Sequence, residues 1–337
     1  MNETNQSPSP VPTDTLSPLN GEKDGVKGIT SNPRQMAWLR FKRNRAAVTS
    51  GWFLLALLAV VVAWPILLKI SPALALAHDP NQLSDSPFAA PDARHWFGTD
   101  MHGRDLFSRC LFGAQISLLV GVVGALVSLV IGVIWGAVAG YTGGKVDAVL
   151  MRIVDVLYSL PTIIFVIVLI ATLGEVIKQS AVVRNSPALE GSLHIVLLFV
   201  GLGAVSWLTM ARIVRGQVLS LRTRAFVEAS RALGGGSVWI LARHIIPNIL
   251  GVVITYLALT MPAIILYESF LSYLGLGVQP PMASWGTLIS EGVAQINPIR
   301  IYWWLIVFPG GVLVATLLAL NFLGDGLRDA WDVKSRR

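Results

Sequence analysis

Two histidines and two aspartates share a short polar stretch, and these are residue types that could hold a divalent metal ion. They are His95, Asp100, His102 and Asp105. Imidazole nitrogens and carboxylate oxygens are suitable ligands for several divalent metals. The alternative is that both aspartates cap turns around Gly98 and Gly103 and pair with Arg104 or Arg109. We favour this second interpretation and predict neither a metal site nor any other cofactor.

Three ionisable side chains lie within or beside long apolar stretches, where such groups are functional candidates by default. They are Asp155, His194 and Glu268. A proton relay needs ionisable groups near the middle of the bilayer, and all three are predicted near an interface with water. An ion-coupled secondary carrier is therefore kept only as an alternative function.

The sequence contains no sign of catalytic machinery. No G-x-x-x-x-G-K-[ST] stretch, whose backbone would cradle phosphates, occurs in the chain. Ser206 is the nearest candidate nucleophile within an apolar stretch, and no histidine lies at its level to serve as a base. We predict that the chain is not an enzyme. Energy for any transport must then come from a partner or from an ion gradient.

A polar, arginine-rich segment at residues 214–247 separates two long apolar stretches. Residues 222–233 predict a short amphipathic helix, with Phe226, Ala229 and Leu233 on one face. Arg222, Arg224, Glu228 and Arg231 give the same helix a charged surface. A membrane protein has little reason to keep such a helix between two spans unless a partner docks on it.

A second helix is predicted to follow in the same segment. The glycines at 234–236 end the first helix, because glycine permits a sharp reversal of the chain. Ser237 is predicted to cap a helix over 238–245, and Pro247 to close the unit. Two simpler interpretations exist: Glu228 pairs with an arginine of its own helix, or the cations contact lipid headgroups. Neither explains a helical pair broken by glycines.

The composition places most of the chain in a membrane. Of the 337 residues, 54% are hydrophobic and 13% are charged, whereas about 25% of residues are charged in soluble domains. The net charge of +7 does not indicate nucleic-acid binding, because the cations cluster beside apolar stretches. Stretches of roughly 20 apolar residues can cross a bilayer. The sequence predicts an all-α membrane protein with six transmembrane helices, at about 52–70, 115–139, 154–173, 193–213, 249–271 and 301–323.

Charge asymmetry predicts the orientation of these helices. Four cations in the six residues 40–45 flank the first span, and further arginines crowd residues 212–243. Cytoplasmic loops are enriched in such residues, so both termini are predicted inside. The predicted domains are a disordered cytoplasmic tail at 1–35, a basic segment with the first transmembrane helix at 36–75, an extracytoplasmic segment at 76–112, and a five-helix core at 113–337.

Small residues and prolines mark the predicted helices. Gly132, Gly136 and Gly140 are spaced four residues apart on one helix face, which permits close approach of another helix. We favour packing within this subunit over a dimer contact. Pro161 and the later prolines at 262 and 309 interrupt predicted spans, where they either line a pathway or serve packing.

Four motifs, in this order, resemble the C-type permeases of dipeptide and oligopeptide ABC importers. They are the basic stretch 40–45, the stretch 95–109, the segment with Glu228-Ala229-Ser230, Gly234 and Ile245-Ile246-Pro247, and the stretch 271–281 followed by Trp285-Gly286. The third resembles the EAA loop of these permeases, with Ser230 in place of the commoner second alanine. The resemblance extends from about residue 38 to the C terminus.

The resemblance implies a type I ABC importer permease in the cell inner membrane. Its implied partners are a second permease subunit in a heterodimer, two ABC ATPase subunits and an extracytoplasmic substrate-binding protein. Residues 214–247 would form a cytoplasmic coupling loop that seats in the ATPase. Its implied docking residues are Arg224, Glu228, Ala229, Ser230, Arg231, Gly234, Ile245 and Pro247. The resemblance favours a dipeptide or oligopeptide as the cargo, although relatives also carry nickel or glutathione.

Overall fold

The protein is almost entirely α-helical. The structure, a computed structural model, describes residues 33–72, 78–178, 187–279 and 282–331. No β-strand occurs within these ranges, so the predicted all-α class is confirmed. The helices are α1 (Pro33–Arg43), α2 (Arg45–Ile70), α3 (Leu106–Thr142), α4 (Gly144–Ser159), α5 (Thr162–Lys178), α6 (Pro187–Leu221), α7 (Ala225–Ala232), α8 (Ser237–Ile240), α9 (Ile246–Tyr273), α10 (Trp285–Ala294) and α11 (Trp304–Trp331). Of the predicted tail, residues 1–32 lie outside the described residues.

Five helical segments are long and apolar enough to cross a membrane. They are α2, α3, the part of α6 from Val196, the continuous helix Ser237–Tyr273 that contains α9, and α11. These match five of the six predicted spans. Most outward side chains of α2 are apolar and exposed, as expected of a helix that faces lipid.

The predicted span 154–173 is not one straight helix. It is divided between α4 and α5, which are bent by 90° at the break. Leu160 at this break has an extended backbone (φ −80°, ψ 137°). The following Pro161 disfavours a helical conformation at the residue before it and lacks the N–H that would continue the helix. The number of spans is six when this bent pair counts as one.

The two ends of the bundle differ in structure. Residues 222–245 connect α6 to α9 at one end, which we call the lower end. A Cβ atom added to Gly251 would lie 2.5 Å from the Trp331 ring there, which shows how closely α9 and α11 approach. Residues 78–105 and α10 lie at the opposite, upper end. There the Trp64 indole N–H donates a buried hydrogen bond to Ser108 Oγ (2.8 Å).

Small residues let α3 and α6 pack against each other along much of their length. A Cβ atom added to Gly132 would lie 2.6 Å from Met210 Cβ, and one added to Gly136 would lie 2.4 Å from the Ala211 carbonyl oxygen. At Gly140 the same atom would lie 2.8 Å from a backbone oxygen of α6. The predicted glycine face is therefore a packing surface within the subunit, as favoured.

We expect Gly136→Val to lower the free energy of unfolding by about 3 kcal/mol, at the upper end of overpacking effects, because the obstructing atom is backbone and cannot rotate away. The matched control is Gly310→Val in α11, where an added Cβ meets no atom within 4 Å. Thermal or denaturant unfolding of the purified full chain in detergent measures both variants. Equal stability of the two variants would contradict the packing argument.

Helix α10 was not predicted from the sequence. Ser284 and Thr287 form a capping box: the Ser284 N–H donates to Thr287 Oγ1 (2.8 Å), and the Thr287 N–H donates to Ser284 Oγ (3.3 Å). The buried Trp285 indole N–H donates to the Cys110 carbonyl oxygen (3.2 Å). This contact joins α10 to α3 at the upper end.

Candidate functional site

The helical pair α7 and α8 reverses the direction of the chain at the lower end. The Gly235 N–H donates to the Ser230 carbonyl (2.9 Å), and the Gly234 N–H donates to the Arg231 carbonyl (3.0 Å). This Schellman arrangement requires a left-handed residue, and Gly234 supplies it with φ +83°. The predicted reversal at the glycines is confirmed. Gly236 is extended and leads directly into α8.

The second helix of the pair does not end before the next span. Its N-cap residue is Gly236, and Ser237 is the first helical residue, so the predicted cap at Ser237 is wrong. The extended Gly236 already follows the glycine turn, which leaves Ser237 free to enter the helix. α8 continues through a π-helical turn at Leu241–Ile245 into α9, forming one rod from residue 237 to residue 273.

Pro247 lies inside this rod instead of closing the unit, so that prediction is also wrong. A proline removes one helical N–H and crowds the carbonyl four residues earlier. The turn just before it is widened, and the Ile246 N–H donates to the Leu241 carbonyl, five residues back. Because the wider turn accommodates the proline, the helix continues without a break.

Val227 fixes α7 to the rest of the bundle. Its side chain is fully buried in a cluster with Val214 and Val218 of α6 and with Ile240 and Ile245 of the rod. The amphipathic pattern led us to expect Phe226, Ala229 and Leu233 on the apolar face. In the structure all three are exposed. The orientation of α7 follows the position of Val227 over α6, which periodicity over eight residues cannot determine.

The outward surface of the pair carries large apolar side chains among charges. Leu233 is 90% exposed, Val238 81% and Trp239 53%. Of the docking residues implied by the resemblance, six are exposed: Arg224, Glu228, Ala229, Arg231, Gly234 and Pro247. Ser230 is half-buried, and its hydroxyl donates to the Phe226 carbonyl (3.0 Å). Ile245 is buried beneath this surface. We call the exposed face of α7 and α8 the lower face.

The charge on Glu228 is not neutralised by its own helix. In the described ranges no ion pair forms between Glu228 and Arg224 or Arg231. The Arg231 guanidinium lies 5.8 Å from the centroid of the Tyr141 ring instead, where it makes a cation–π contact. The lower face therefore presents a free carboxylate beside exposed arginines.

Three other arginines of the predicted basic cluster make contacts within the subunit. Arg215 of α6 binds both carboxylate oxygens of Asp147 in α4 (2.5 and 2.7 Å). Arg212 pairs with Asp155 (2.8 Å), one of the ionisable candidates. Arg222 donates to the carbonyls of residues 140 and 141 (3.2 and 3.3 Å). These bonds tie α4 to α6, and the end of α3 to the residue that follows α6.

Comparisons with known proteins agree with this arrangement. Residues 132–337, more than half of the chain, match the binding-protein-dependent transport system inner membrane component family, and residues 32–91 match the N-terminal transmembrane domain of oligopeptide transport permease C. The chain belongs to this permease family. The resemblance seen in the sequence is confirmed, and the permease is a multi-pass protein of the cell inner membrane.

Curated relatives cover nearly the whole permease. The oligopeptide transport system permease protein OppC of Escherichia coli is 46% identical over 304 residues, which cover 90% of this chain and 91% of the relative. The Haemophilus influenzae protein of the same name is 44% identical over 302 residues, covering 90% and 89%. The dipeptide transport system permease protein DppC of Bacillus subtilis is 42% identical over 318 residues, covering 94% and 91%. Such transport components are not themselves catalytic.

At the upper end, the candidate metal ligands have structural partners. Asp100 accepts hydrogen bonds from the backbone N–H of His102 (2.8 Å) and of Arg104 (2.9 Å) and pairs with the Arg104 Nε (2.7 Å). Asp105 caps α3 by accepting the Ser108 N–H (2.9 Å). The predicted capping and pairing with Arg104 and Arg109 is confirmed for Asp100. Asp105 also acts as a cap, but its side chain contacts histidines and not the predicted arginines. Among the described residues, no cluster of three or more His, Cys, Asp or Glu side chains could hold a metal ion.

Sequence reasoning missed how Asp105 and Asp100 join distant segments. His95 Nδ1 lies 3.1 Å from one Asp105 oxygen and His78 Nδ1 lies 3.3 Å from the other. Arg109 binds Asp100 and Glu291 of α10 together, with its Nη1 2.6 Å from Asp100 and 2.5 Å from Glu291. In the sequence, Glu291 is noticeable only as a charged residue among mostly apolar neighbours. That pattern does not reveal that its partner is Arg109.

Glu268 differs from its predicted environment. We expected it near an interface where water is within reach, but its side chain is fully buried between α3, α9 and α10. Ser117 Oγ donates to it at 2.9 Å and Ser272 Oγ at 2.6 Å. Buried polar groups need such partners, and these two hydroxyls come from two different helices. The described backbone includes His194, but its side chain lies outside the described residues.

Proposed function

We propose that the chain is the permease subunit of an ATP-driven importer of dipeptides or oligopeptides, and that its lower face docks a separate ABC ATPase subunit. Its relatives are named as oligopeptide and dipeptide permeases. The observation that carries the docking proposal is the exposure of Leu233, Val238 and Trp239 on an anchored helical pair outside the apolar parts of the spans. The family that the chain matches is binding-protein-dependent. Dependence on a binding protein favours an importer over the ion-coupled carrier.

The chemistry of the lower face suits a protein partner. Large exposed apolar side chains grouped among charged ones are typical of interaction sites, and tryptophan and arginine are the residues that most often dominate binding energy. Trp239 and Leu233 would form the apolar centre. Arg224, Glu228 and Arg231 would form a charged rim that selects the orientation of the partner.

The same anchoring provides a route for movement into the membrane. α8 is continuous with α9, so a displacement of Trp239 moves the whole helix up to Tyr273 as one rod. α7 is held to α6 through Val227, and Arg222, just before α7, donates to backbone carbonyls of α3. In the proposal, closure of the paired ATPases rocks α6 and α9 and opens a central pathway on alternate sides. This mechanism requires that the contacts with the ATPase differ between the state in which the pathway is open to one side and the state in which it is open to the other.

The orientation and the partners are part of the proposal. Residues 212–243 carry many arginines, which supports a cytoplasmic location of the lower end and of both termini, where ATP is available. The upper end, with α10 and residues 78–105, would face the extracytoplasmic substrate-binding protein. The complete complex would contain a second permease subunit and two ATPase subunits in the lipid bilayer. Nucleic acid has no part in it.

We expect Glu228→Lys to reduce ligand-stimulated ATP hydrolysis of the reconstituted complex to the basal rate, while insertion and folding stay intact. The exposed carboxylate makes no ion pair with another described residue, so its replacement should leave the subunit stable. Asp329→Lys is the control, because Asp329 is an exposed carboxylate of α11 that lies outside both the lower face and the upper end and forms no ion pair with a described residue. Full ligand stimulation of ATP hydrolysis in Glu228→Lys would refute the assignment of the lower face as the ATPase-docking surface.

A second experiment separates the importer from the ion-coupled carrier. Uptake of substrate by the purified chain alone, reconstituted without ATPase subunits, would support the carrier instead.

A further inference from the structure

Helix α1 leaves the axis of the first transmembrane helix at Asn44. The Asn44 backbone is extended at ψ 98°, and its side-chain oxygen accepts the Ala47 N–H (3.2 Å), which caps the start of α2. α2 alone has 26 residues, or about 39 Å of helix, against the roughly 30 Å of hydrocarbon that it crosses. α1 therefore lies at the level of the lipid headgroups or beyond them.

Contacts with α11 hold α1 in a fixed position. Ala37 is buried, and a Cβ atom added to Gly326 would lie 2.2 Å from Ala47 and 3.5 Å from the Phe41 ring. The α1–α2 corner thus packs closely on the C-terminal part of α11. Because the corner is held, the side chains on its outer face have a defined arrangement.

The outer face of this corner combines apolar side chains with cations. Leu39 is 62% exposed and Trp38 57%, and the Lys42 ammonium lies 5.2 Å from the centroid of the Trp38 ring. Arg43 and Arg45 are also exposed. Tryptophan is enriched at the membrane interface, and lysine and arginine there attract anionic lipids.

These cations lack acidic partners in the part of the chain that the structure describes. No described carboxylate lies within 4 Å of a side-chain nitrogen of Lys42, Arg43 or Arg45. The sequence contains no aspartate or glutamate between Asp24 and Asp79. The exposed acids on the neighbouring end of α11 form no ion pair with these three residues. Among the described residues, ion pairs therefore leave the positive charge of this patch available to an anion.

We propose that the outer face of α1 and the start of α2, with Trp38, Leu39, Lys42, Arg43 and Arg45, binds the headgroups of anionic phospholipids. The phosphates contact the cations, and the Trp38 and Leu39 side chains insert among the upper acyl carbons. The lipid in this way fastens the α1–α2 corner, which packs on α11, to the bilayer surface. The site is separate from the lower face of α7 and α8, and its existence does not depend on an ATPase.

Lipid binding by the purified full chain tests the proposal. In native mass spectrometry from a neutral detergent, titration with phosphatidylglycerol should show a preferred site, and titration with phosphatidylcholine should not. The double variant Lys42→Gln/Arg43→Gln should weaken phosphatidylglycerol binding by roughly tenfold or more, because each cation near the surface contributes appreciably to the attraction. Added inorganic phosphate should not replace the lipid, since it lacks the acyl chains that Trp38 and Leu39 contact.

The matched control is Lys145→Gln/Arg152→Gln, which removes two exposed cations of α4 that make no ion pair in the described ranges. This control should retain the affinity of the unaltered chain. Equal losses of phosphatidylglycerol affinity in the two double variants would mean that the affinity depends only on the net charge of the chain. This result would overturn the proposal. Unchanged binding in Lys42→Gln/Arg43→Gln would overturn it as well, as would displacement of the lipid by inorganic phosphate at matched concentration.

Discussion

Replacing Leu233 with aspartate should abolish the association of the permease with its ATPase partner. Leu233 projects from the end of α7 and is the most exposed large apolar side chain of the lower face. Loss of a side chain that anchors the centre of an interface costs about 2 kcal/mol or more, which corresponds to roughly thirtyfold in affinity. A buried, unpaired carboxylate in the interface adds a desolvation cost. We therefore expect both ATPase binding and ligand-stimulated ATP hydrolysis to be lost.

Binding of purified ATPase to the permease in nanodiscs measures this directly. The matched control is Ile299→Asp, since Ile299 is a similarly exposed apolar side chain (88%) that lies at the upper end. It should bind the ATPase normally. Because Leu233 buries almost no surface in the subunit, Leu233→Asp should keep the thermal stability of the unaltered chain. Normal ATPase affinity in Leu233→Asp would place the ATPase contact elsewhere.

Replacing Arg109 with leucine should destabilise the upper end by about 3 kcal/mol. The guanidinium is buried and binds Asp100 and Glu291, so it joins α3, residues 98–105 and α10. Removing one partner of a buried ion pair costs about 3–5 kcal/mol, because the remaining charge is uncompensated. We expect a loss of stability at the lower limit of this range. Arg104 still pairs with Asp100, and Glu291 is partly exposed to solvent.

Denaturant unfolding of the full chain in detergent micelles gives this free energy. Arg300→Leu is the control, because Arg300 is exposed and makes no ion pair with any described residue. Arg109→Lys should recover only part of the loss, since an ammonium cannot reproduce the two-pronged contact with Glu291. If Arg109→Leu is as stable as Arg300→Leu, the ion pairs of Arg109 do not contribute to holding the three segments together.

Much of the helical framework could be predicted from composition and hydropathy. Five of the six spans are present as single segments, and the glycine face of α3 packs on α6 as expected. The break at Pro161 was visible as a proline, yet its 90° bend was not, because a proline determines where a helix ends and not the direction of the next one. α10 was missed because ten residues give a weak periodic signal.

The candidate site was located by its residue types but not oriented by them. The amphipathic pattern of residues 222–233 predicted that Phe226, Ala229 and Leu233 share one face, but it did not show that this face is exposed or that Val227 is the buried residue. Pro247 was predicted to end a helix that in fact continues through a π-helical turn. The sequence could not decide either point, because a short helix takes its rotation and its length from the neighbours against which it packs.

By itself, the sequence determined that the chain is a helical membrane protein, where its spans lie, and which polar segment lies between them. These properties follow from the cost of placing charges and unpaired backbone groups in hydrocarbon, which depends on each residue almost independently of its neighbours. Only the tertiary structure decided which arginines are used internally, which apolar side chains remain exposed at Leu233 and Trp239, and which acid meets Arg109. Such pairings join residues far apart in the chain, and no local pattern encodes them.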